Sequence, residues 1–317
     1  MSNPPSSRRR AWLLAVVAAL AGAIAVGVWV TTRPAGAASA FTPAVLGDEP
    51  TGSVVQARED RELAVALAVR PTARRLLLVA TVLGQDGNGA AGLDVSFRVH
   101  MVAGETSLQA RSGSPGYYEA ETTSSGRPTA VDVTVTGRGA GAAPLRFTLP
   151  ATWPPRPADA IVRTADRAYE QLHTLATRER LASSPGHAVK TRYVAVAPDR
   201  LRITSDNGTK AVVVGSRRWD RVGSGPWQSS TQQAFPAIAP FWVGSIENAM
   251  LLGTATVGGR PASIVSFAAP QMPAFFTAWI DKVTGRMLEL RMTAAAHFMH
   301  HLYGPFDAPQ RIRAPTG

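Results

Sequence analysis

The sequence predicts a mainly β protein of the α+β class, in which two β-rich domains follow an N-terminal membrane segment. Three observations predict this arrangement: an uncharged apolar stretch near the N-terminus, a series of short strand-like runs, and one helical stripe followed by a second series of strand-like runs. The chain has 317 residues, of which 45% are apolar, so it has the length and composition for about two ordinary cores.

Residues 11–30 form a stretch of twenty residues without a charge. As a helix, this stretch would span about 30 Å, the thickness of the hydrocarbon core of a bilayer. Arg8, Arg9 and Arg10 precede it, so we expect residues 1–10 to be a basic cytoplasmic tip, residues 11–31 a single-pass anchor, and the rest extracytoplasmic. The alternative is a signal peptide cleaved near Ala40, which would yield a secreted protein.

Residues 32–60 are rich in Ala, Pro, Gly and Thr, and we expect them to form a flexible spacer. Residues 61–150 then show strand patterns without helical spacing. The run 76–83 is continuously apolar, as in a central strand, whereas 95–99 and 131–135 alternate between apolar and polar residues. Strands at this spacing predict an antiparallel β-sandwich, whose size fits an immunoglobulin-like module.

Residues 151–157 contain three prolines and are predicted to be a stiff linker. From Asp159 to Leu181, apolar residues recur at spacings of three and four, which predicts one long helix. The rest of the domain at 158–310 alternates strand-like runs with turn compositions, such as Asp206-Asn207-Gly208 and residues 281–285. We therefore expect a long helix followed by an antiparallel sheet.

The strings RLRI, GSRRWDR and FTAWIDKVTGRMLELRM after a single helix resemble the LolA-like family of lipoprotein carriers and their actinobacterial relatives. This resemblance implies a curved antiparallel sheet that wraps one long helix and leaves an apolar cavity for acyl chains. The preceding sandwich and the final string MTAAAHFMHHLYGPFDAP also resemble the extracytoplasmic tails of copper-resistance D-type membrane proteins. That second resemblance implies copper handling beside a multi-span membrane partner, although this chain has only one predicted span.

Residues 292–301 hold a concentration of His and Met. In a strand, alternation places His297, Met299 and His301 on one face, and thioether and imidazole ligands together suit copper. These three residues are therefore the candidate metal ligands. The alternative is that Met299 fills the core and that the histidines form hydrogen bonds.

A second candidate site is an apolar pocket lined by aromatic side chains. Nine aromatic residues occur between residues 219 and 279, where they would form either a core or a cavity for a lipid. Adjacent Phe275 and Phe276 would face opposite sides of a strand, so we expect one of them to be exposed or to line the cavity. The candidate pocket residues are Trp219, Trp227, Trp242, Phe275, Phe276 and Trp279.

Several function classes are poorly compatible with the sequence. The chain has no Cys, and it lacks the motifs of serine hydrolases, zinc proteases and phosphate-binding loops, so we expect no catalysis. The formal net charge is +11, but the only dense basic cluster is Arg8–Arg10, so no nucleic-acid partner is predicted. The +7 carried by residues 158–317 indicates either a solvated surface or attraction to anionic lipid or an acidic partner.

The sequence thus favours a membrane-anchored extracytoplasmic binding protein in copper handling, without catalysis. The first alternative is a carrier or sensor of lipid or another apolar ligand, and the second is a structural or regulatory interaction module. The candidate ligands are accordingly copper or lipid, and the candidate partners are the membrane and a multi-span copper-handling protein.

Overall fold

The computed structural model describes residues 49–123, 126–141, 143–184, 186–240, 242, 246–270 and 274–316. Within these residues the chain is mainly β, with a single α-helix. The predicted anchor at 11–31, the basic tip and the cleavage site near Ala40 all lie outside the described residues. No helix in the described part of the chain combines the length and apolar character that crossing a membrane requires.

The first domain is a sandwich of two antiparallel sheets. Its nine strands are β1 Val54–Asp60, β2 Leu63–Pro71, β3 Arg75–Leu83, β4 Asp94–Met101, β5 Gly104–Gln109, β6 Arg111–Ser114, β7 Tyr117–Thr123, β8 Pro128–Thr136 and β9 Leu145–Thr148. One sheet has the order β1-β2-β3-β7-β6 and the other the order β5-β4-β8-β9. Leu67, Leu78, Val99, Val131 and Phe147 meet between the sheets and are almost fully buried.

Strand β1 corrects the predicted spacer. The predicted spacer extends to residue 60, but Val54–Asp60 pairs along its whole length with β2, from Val54 opposite Val69 to Asp60 opposite Leu63. Val54 and Val55 are completely or almost completely buried. The residues between them and Leu63 are mostly polar or charged and do not alternate with apolar ones, so the sequence shows no strand pattern here.

The second domain consists of one large antiparallel sheet and one helix, α1 Asp159–Glu170. Its strands are β10 Arg156–Pro157, β11 Thr174–Ser184, β12 His187–Val196, β13 Arg200–Ser205, β14 Thr209–Val214, β15 Arg217–Val222, β16 Gln228–Thr231, β17 Glu247–Val257, β18 Arg260–Ala269, β19 Ala274–Asp281, β20 Met287–Ala294 and β21 His297–Phe306. The twelve strands have the order β10-β17-β18-β19-β20-β21-β11-β12-β13-β14-β15-β16. We call the side of this sheet that carries α1 the inner face and the opposite side the outer face.

The helix is shorter than the sequence predicts. It ends at Glu170, and the residues predicted as its last turns form β11, which is hydrogen-bonded to both β12 and β21. Leu175 and Ala176 fit a helical stripe but are buried on opposite faces of the sheet, in separate apolar clusters. The backbone amide of His173 donates to Asp307 Oδ1 over 2.9 Å, which stabilises the turn between helix and strand. Pairing on both sides therefore overrides the local helical spacing.

The sandwich packs directly on the outer face of the large sheet. Phe275 contacts the sheet of β1, β2 and β3 in a cluster that contains Val55, Ala68 and Val79. Phe275 and Phe276 do face opposite sides, but both are buried, at 5% and 1% exposure, so the expectation that one of them is exposed or lines a cavity is wrong. The sequence could not predict this result because the surface that covers Phe275 comes from residues some 200 positions earlier.

Candidate functional site

A row of buried polar side chains crosses the inner face of the large sheet. Ser205, Thr191, Glu179 and His301 lie directly opposite one another on β13, β12, β11 and β21. Each of the four residues is at most 6% exposed. Apolar side chains of the sheet surround the row on this face, including Ile203 on β13. Polar groups buried in such a setting require hydrogen-bond partners within the protein.

Glu179 and His301 form the centre of this row. His301 Nε2 lies 2.6 Å from Glu179 Oε2, and each side chain is only 4% exposed. The second carboxylate oxygen of Glu179 accepts a hydrogen bond of 2.9 Å from the hydroxyl of Tyr193. His301 Nδ1 lies 3.2 Å from the hydroxyl of Tyr303. Both carboxylate oxygens and both imidazole nitrogens are therefore engaged within the protein.

The two tyrosines are held in their neutral form. Burial raises the pKa of Tyr193 well above its usual range, and the negative charge of nearby Glu179 raises it further. Burial likewise raises the pKa of Tyr303 far above that of an exposed phenol. The hydroxyl of Tyr193 therefore remains a hydrogen-bond donor to Glu179 throughout the physiological pH range.

The three candidate metal ligands share the inner face but are spread along it. His297, Met299 and His301 alternate on β21 as expected, which places the α-carbons of His297 and His301 about 13 Å apart at the rise of a β-strand. His297 Nδ1 lies 3.1 Å from the carbonyl oxygen of Ala295, and Met299 packs into the core against α1 and its neighbours. Among the described residues, no three His, Asp or Glu side chains are grouped as a metal site would require.

Sequence reasoning missed the residues that bind His301. Glu179 lies in the segment predicted to be helical, where an acidic residue among arginines is typical of a solvated face. The sequence carries no signal for this strand, because residues 178–180 are Arg-Glu-Arg and only the structure shows that they alternate exposed, buried, exposed. Tyr193 carried no signal of its own, because an aromatic residue in a strand is usual.

The six candidate pocket residues occupy three separate places. Trp242 and Phe276 lie together on the inner face, with ring centroids 6.4 Å apart, and both contact Phe267. Phe275 lies under the sandwich. The other three lie half-buried on the outer face, each beneath an arginine guanidinium: Trp219, Trp227 and Trp279. The structure therefore does not bring the six residues into one pocket.

The inner face is covered by two different elements. Helix α1 packs over the strands from β17 to β21, with Val162, Ala165 and Tyr169 pointing into the core. Over β12, β13 and β14 the cover is residues 232–240, which have no regular secondary structure and which we call the strap. The space between α1 and the sheet, next to Tyr169 and Tyr303, leaves no room for a water molecule. The helix is therefore tightly packed against the sheet at this point.

The strap covers an apolar surface without regular secondary structure of its own. Beneath it lie five buried residues, Ala195, Leu201, Ile203, Ala211 and Val213. Phe235 and Ile238 of the strap contact this surface but are themselves only half-buried. The central tether is a hydrogen bond of 2.8 Å from the backbone amide of Ala237 to the carbonyl of Pro198, and Gln232 donates to Ser216 at the start of the strap.

A cavity of about 240 Å³ opens on the sandwich, away from the large sheet. Its lining is polar and includes Arg98, Gln109 and Asp132. Nearby, Asp132 accepts hydrogen bonds from Arg146 and from His100. The bond from Arg146, followed by that from His100, lowers the pKa of Asp132 to about 2 against the opposing effect of burial. This cluster is internally paired.

No protein-family model matches the chain, and no curated protein matches it. Among solved structures, the chain is similar to the lipoprotein LppX of Mycobacterium tuberculosis, at 13% identity and a TM-score of 0.39, over 49% of this chain and 97% of that one. It is also similar to LprF of Mycobacterium bovis, at 15% identity and a TM-score of 0.37, over 51% of this chain and 99% of that one. Similarities at these values carry no argument about the ligand, so the site is defined by its own geometry.

Proposed function

We propose that this chain is an extracytoplasmic binding protein that receives an apolar ligand, such as the acyl chain of a lipid, between the inner face of the large sheet and the strap. The observation that carries the proposal is that the buried side chains of Leu201, Ile203 and Val213 are covered by a segment without regular secondary structure, whose own apolar side chains are only half-buried. We propose further that residues 11–31 hold the protein at the membrane and that it has no catalytic activity.

The strap and the helix differ in a way that supports this assignment. A helix satisfies its own backbone hydrogen bonds and can bury a whole apolar stripe, as α1 does. The strap lacks regular backbone pairing and leaves Phe235 and Ile238 half-exposed. Its displacement would expose a continuous apolar surface on three adjacent strands, and an acyl chain could replace the side chains that cover this surface.

The polar row at the edge of this surface supports an orienting role. Apolar sites commonly contain a few polar groups that fix the orientation of the ligand. Tyr193 pairs in register with Ile203 under the strap and donates to Glu179, so it joins the apolar surface to the buried polar row. We propose that the polar end of the ligand lies towards Tyr193.

The test is photo-crosslinking of the full chain in lipid nanodiscs with a diazirine-bearing fatty acid, followed by peptide mapping. We expect adducts on the inner side chains of β13 and β14 and on the strap. Phe235→Ala should raise the yield, because the half-buried ring contributes about 1 kcal/mol to closure, which corresponds to an increase of about fivefold in the displaced population. Trp279→Ala removes a half-buried aromatic residue from the outer face, away from β11 to β15, and is the matched control. Adducts confined to residues 11–31, or equal yields for the two variants, would contradict the proposal.

Copper handling, which the sequence analysis favours, gains no support from the geometry. The distance along β21 separates His297 from His301, and the nitrogens of His301 are engaged with Glu179 and Tyr303.

The immunoglobulin-like assignment of the sandwich remains part of the proposal. It is supported by the order β2-β3-β7-β6 in one sheet and β4-β8-β9 in the other, which corresponds to strands ABED and CFG of that fold.

A further inference from the structure

The outer face of β11 to β15 is a basic surface. Nine of the ten Lys and Arg residues in these strands lie on it: Arg178, Arg180, Lys190, Arg192, Arg200, Arg202, Lys210, Arg217 and Arg221. The two acidic residues of the same strands, Glu179 and Asp220, lie on the inner face. We call this surface the basic face.

The cations of the basic face are not neutralised within the protein. None of the nine forms an ion pair with another residue in the described part of the chain. The inner-face arginine, Arg218, shows the contrast, since it forms a forked pair with Asp220 at 2.7 Å. The difference indicates that the charges on the outer side are left available to something outside the chain.

The strand register places like charges opposite each other three times. Arg178 faces Arg192, Arg180 faces Lys190, and Lys210 faces Arg221. Directly opposed like charges destabilise a sheet, so this arrangement weakens the isolated fold. An anionic surface laid against the face would remove that repulsion.

We propose that the basic face docks on the surface of an anionic lipid bilayer. The cations extend over five strands, about 20 Å across at the spacing of β-strands. They therefore form a broad, flat surface, whereas a groove that binds a nucleic-acid backbone follows the strand with a narrow row of cations. Trp219 and Trp227 are half-buried on the same side, beneath Arg217 at 5.4 Å and Arg221 at 4.7 Å. The guanidinium groups cover the faces of these rings, so the rings are not free to stack on the bases of a nucleic acid.

The position of the sandwich fits this orientation. It contacts the outer face of the large sheet along β17 to β21, through residues such as Phe275 and Phe298. Among the described residues on the strands of the basic face, it reaches only Ala182 and Ala188, at the ends of β11 and β12, and seven of the nine cations are exposed. The C-terminal segment crosses the face at Ile312, which packs on Ala176 and Val194, and it adds exposed Arg311 and Arg313 beside that contact. The docking of the basic face is separate from the proposed ligand site, which lies on the inner face.

The absence of Cys from the chain allows a direct test. Thr204 is exposed and lies between Arg192 and Lys210 in the register, so Thr204→Cys carries a single environment-sensitive fluorophore on the basic face. Thr106→Cys on the exposed side of the sandwich is the control position. The full chain is reconstituted in vesicles of phosphatidylglycerol with brominated phosphatidylcholine, or of brominated phosphatidylcholine alone.

We expect bromine quenching at position 204 only in the phosphatidylglycerol vesicles, and its loss at about 1 M salt, where the Debye length falls to about 3 Å. The triple variant Arg178→Gln, Arg192→Gln, Arg202→Gln should weaken docking about 100-fold, at about fivefold for each charge near the surface. Its melting temperature should be unchanged or higher, because repulsion is relieved.

The matched control neutralises three exposed arginines of the sandwich, Arg111→Gln, Arg127→Gln and Arg138→Gln, and should leave docking unchanged. Equal quenching in the two kinds of vesicle would overturn the proposal, as would equal effects of the two triple variants. A label that responds to soluble polyglutamate but not to phosphatidylglycerol vesicles would also overturn it and would assign the face to an acidic protein.

Discussion

The buried pair of Glu179 and His301 gives the sharpest quantitative prediction. Glu179→Ala removes the carboxylate that contacts His301 Nε2 and accepts a hydrogen bond from the hydroxyl of Tyr193. The side chains of Glu179 and His301 are each only 4% exposed. Each buried polar group left without its partner costs about 1–3 kcal/mol, so the loss of the partner of two such groups should cost about 3–5 kcal/mol. For a domain of this size, that corresponds to a decrease in melting temperature of roughly 6–20 °C.

Glu179→Gln provides the matched comparison. The amide oxygen can still accept from Tyr193, and the amide NH₂ can donate to His301 Nε2 if the imidazole proton is on Nδ1, towards Tyr303. We therefore expect a loss of only about 1 kcal/mol, close to the net contribution of one hydrogen bond. Thermal unfolding of the full chain in detergent, followed by near-UV circular dichroism, measures the difference between the two variants.

A double-mutant cycle tests the physical reason. Glu179→Ala with His301→Leu should destabilise by at least about 2 kcal/mol less than the sum of the single changes, because the double variant leaves no unpaired member of the pair. Asp220→Ala breaks the more exposed pair with Arg218 and should cost less than about 1 kcal/mol. Strictly additive costs at positions 179 and 301 would refute the coupling that the 2.6 Å contact implies.

Three further predictions follow from other contacts. The pKa of Asp132 is about 2 in the folded protein and 3.8 in the unfolded chain, so the pairing of Asp132 stabilises the fold above pH 4 and this stabilisation is lost as the pH falls towards 2. In urea unfolding, Asp132→Asn should therefore lower the free energy of unfolding by about 2 kcal/mol at pH 7 and by almost nothing at pH 2. Burial raises the pKa of Tyr193 and Tyr303, so the unfolded chain releases protons first and stability should fall above pH 10, by up to about 1.4 kcal/mol per pH unit for each tyrosine; a flat alkaline profile would contradict their burial. Phe275→Ala should cost about 3–5 kcal/mol and separate the sandwich and the sheet into two calorimetric transitions, whereas Phe276→Ala should cost as much but leave the contact with the sandwich intact.

The inner-face site was only partly predictable from the sequence. Alternation placed His297, Met299 and His301 on one face, and β21 has that alternation. The metal hypothesis also required them to converge, and convergence depends on neighbouring strands rather than on spacing. The partner of His301 is 122 residues away in the chain, in a segment whose apolar spacing favoured a helix.

The sequence by itself determined the β-rich character of the described domains, their hairpin turns and the alternation of side chains along each strand. These properties depend on local backbone preferences and on the period of apolar residues. The turn at 281–285 is an example, since Asp281 Oδ1 accepts from the amides of Val283 and Thr284 within the turn itself. No distant residue is needed to form it.

Only the tertiary structure decided what each face of the large sheet contacts. Phe275 is buried because the sandwich covers it, and the buried carboxylate of Glu179 is stabilised because β12 and β21 bring Tyr193 and His301 to it. The basic face exists because five strands align their cations in register on one side. Strand order and register bring together residues that are far apart in the chain, and the period of a single strand carries no information about which neighbours it will have.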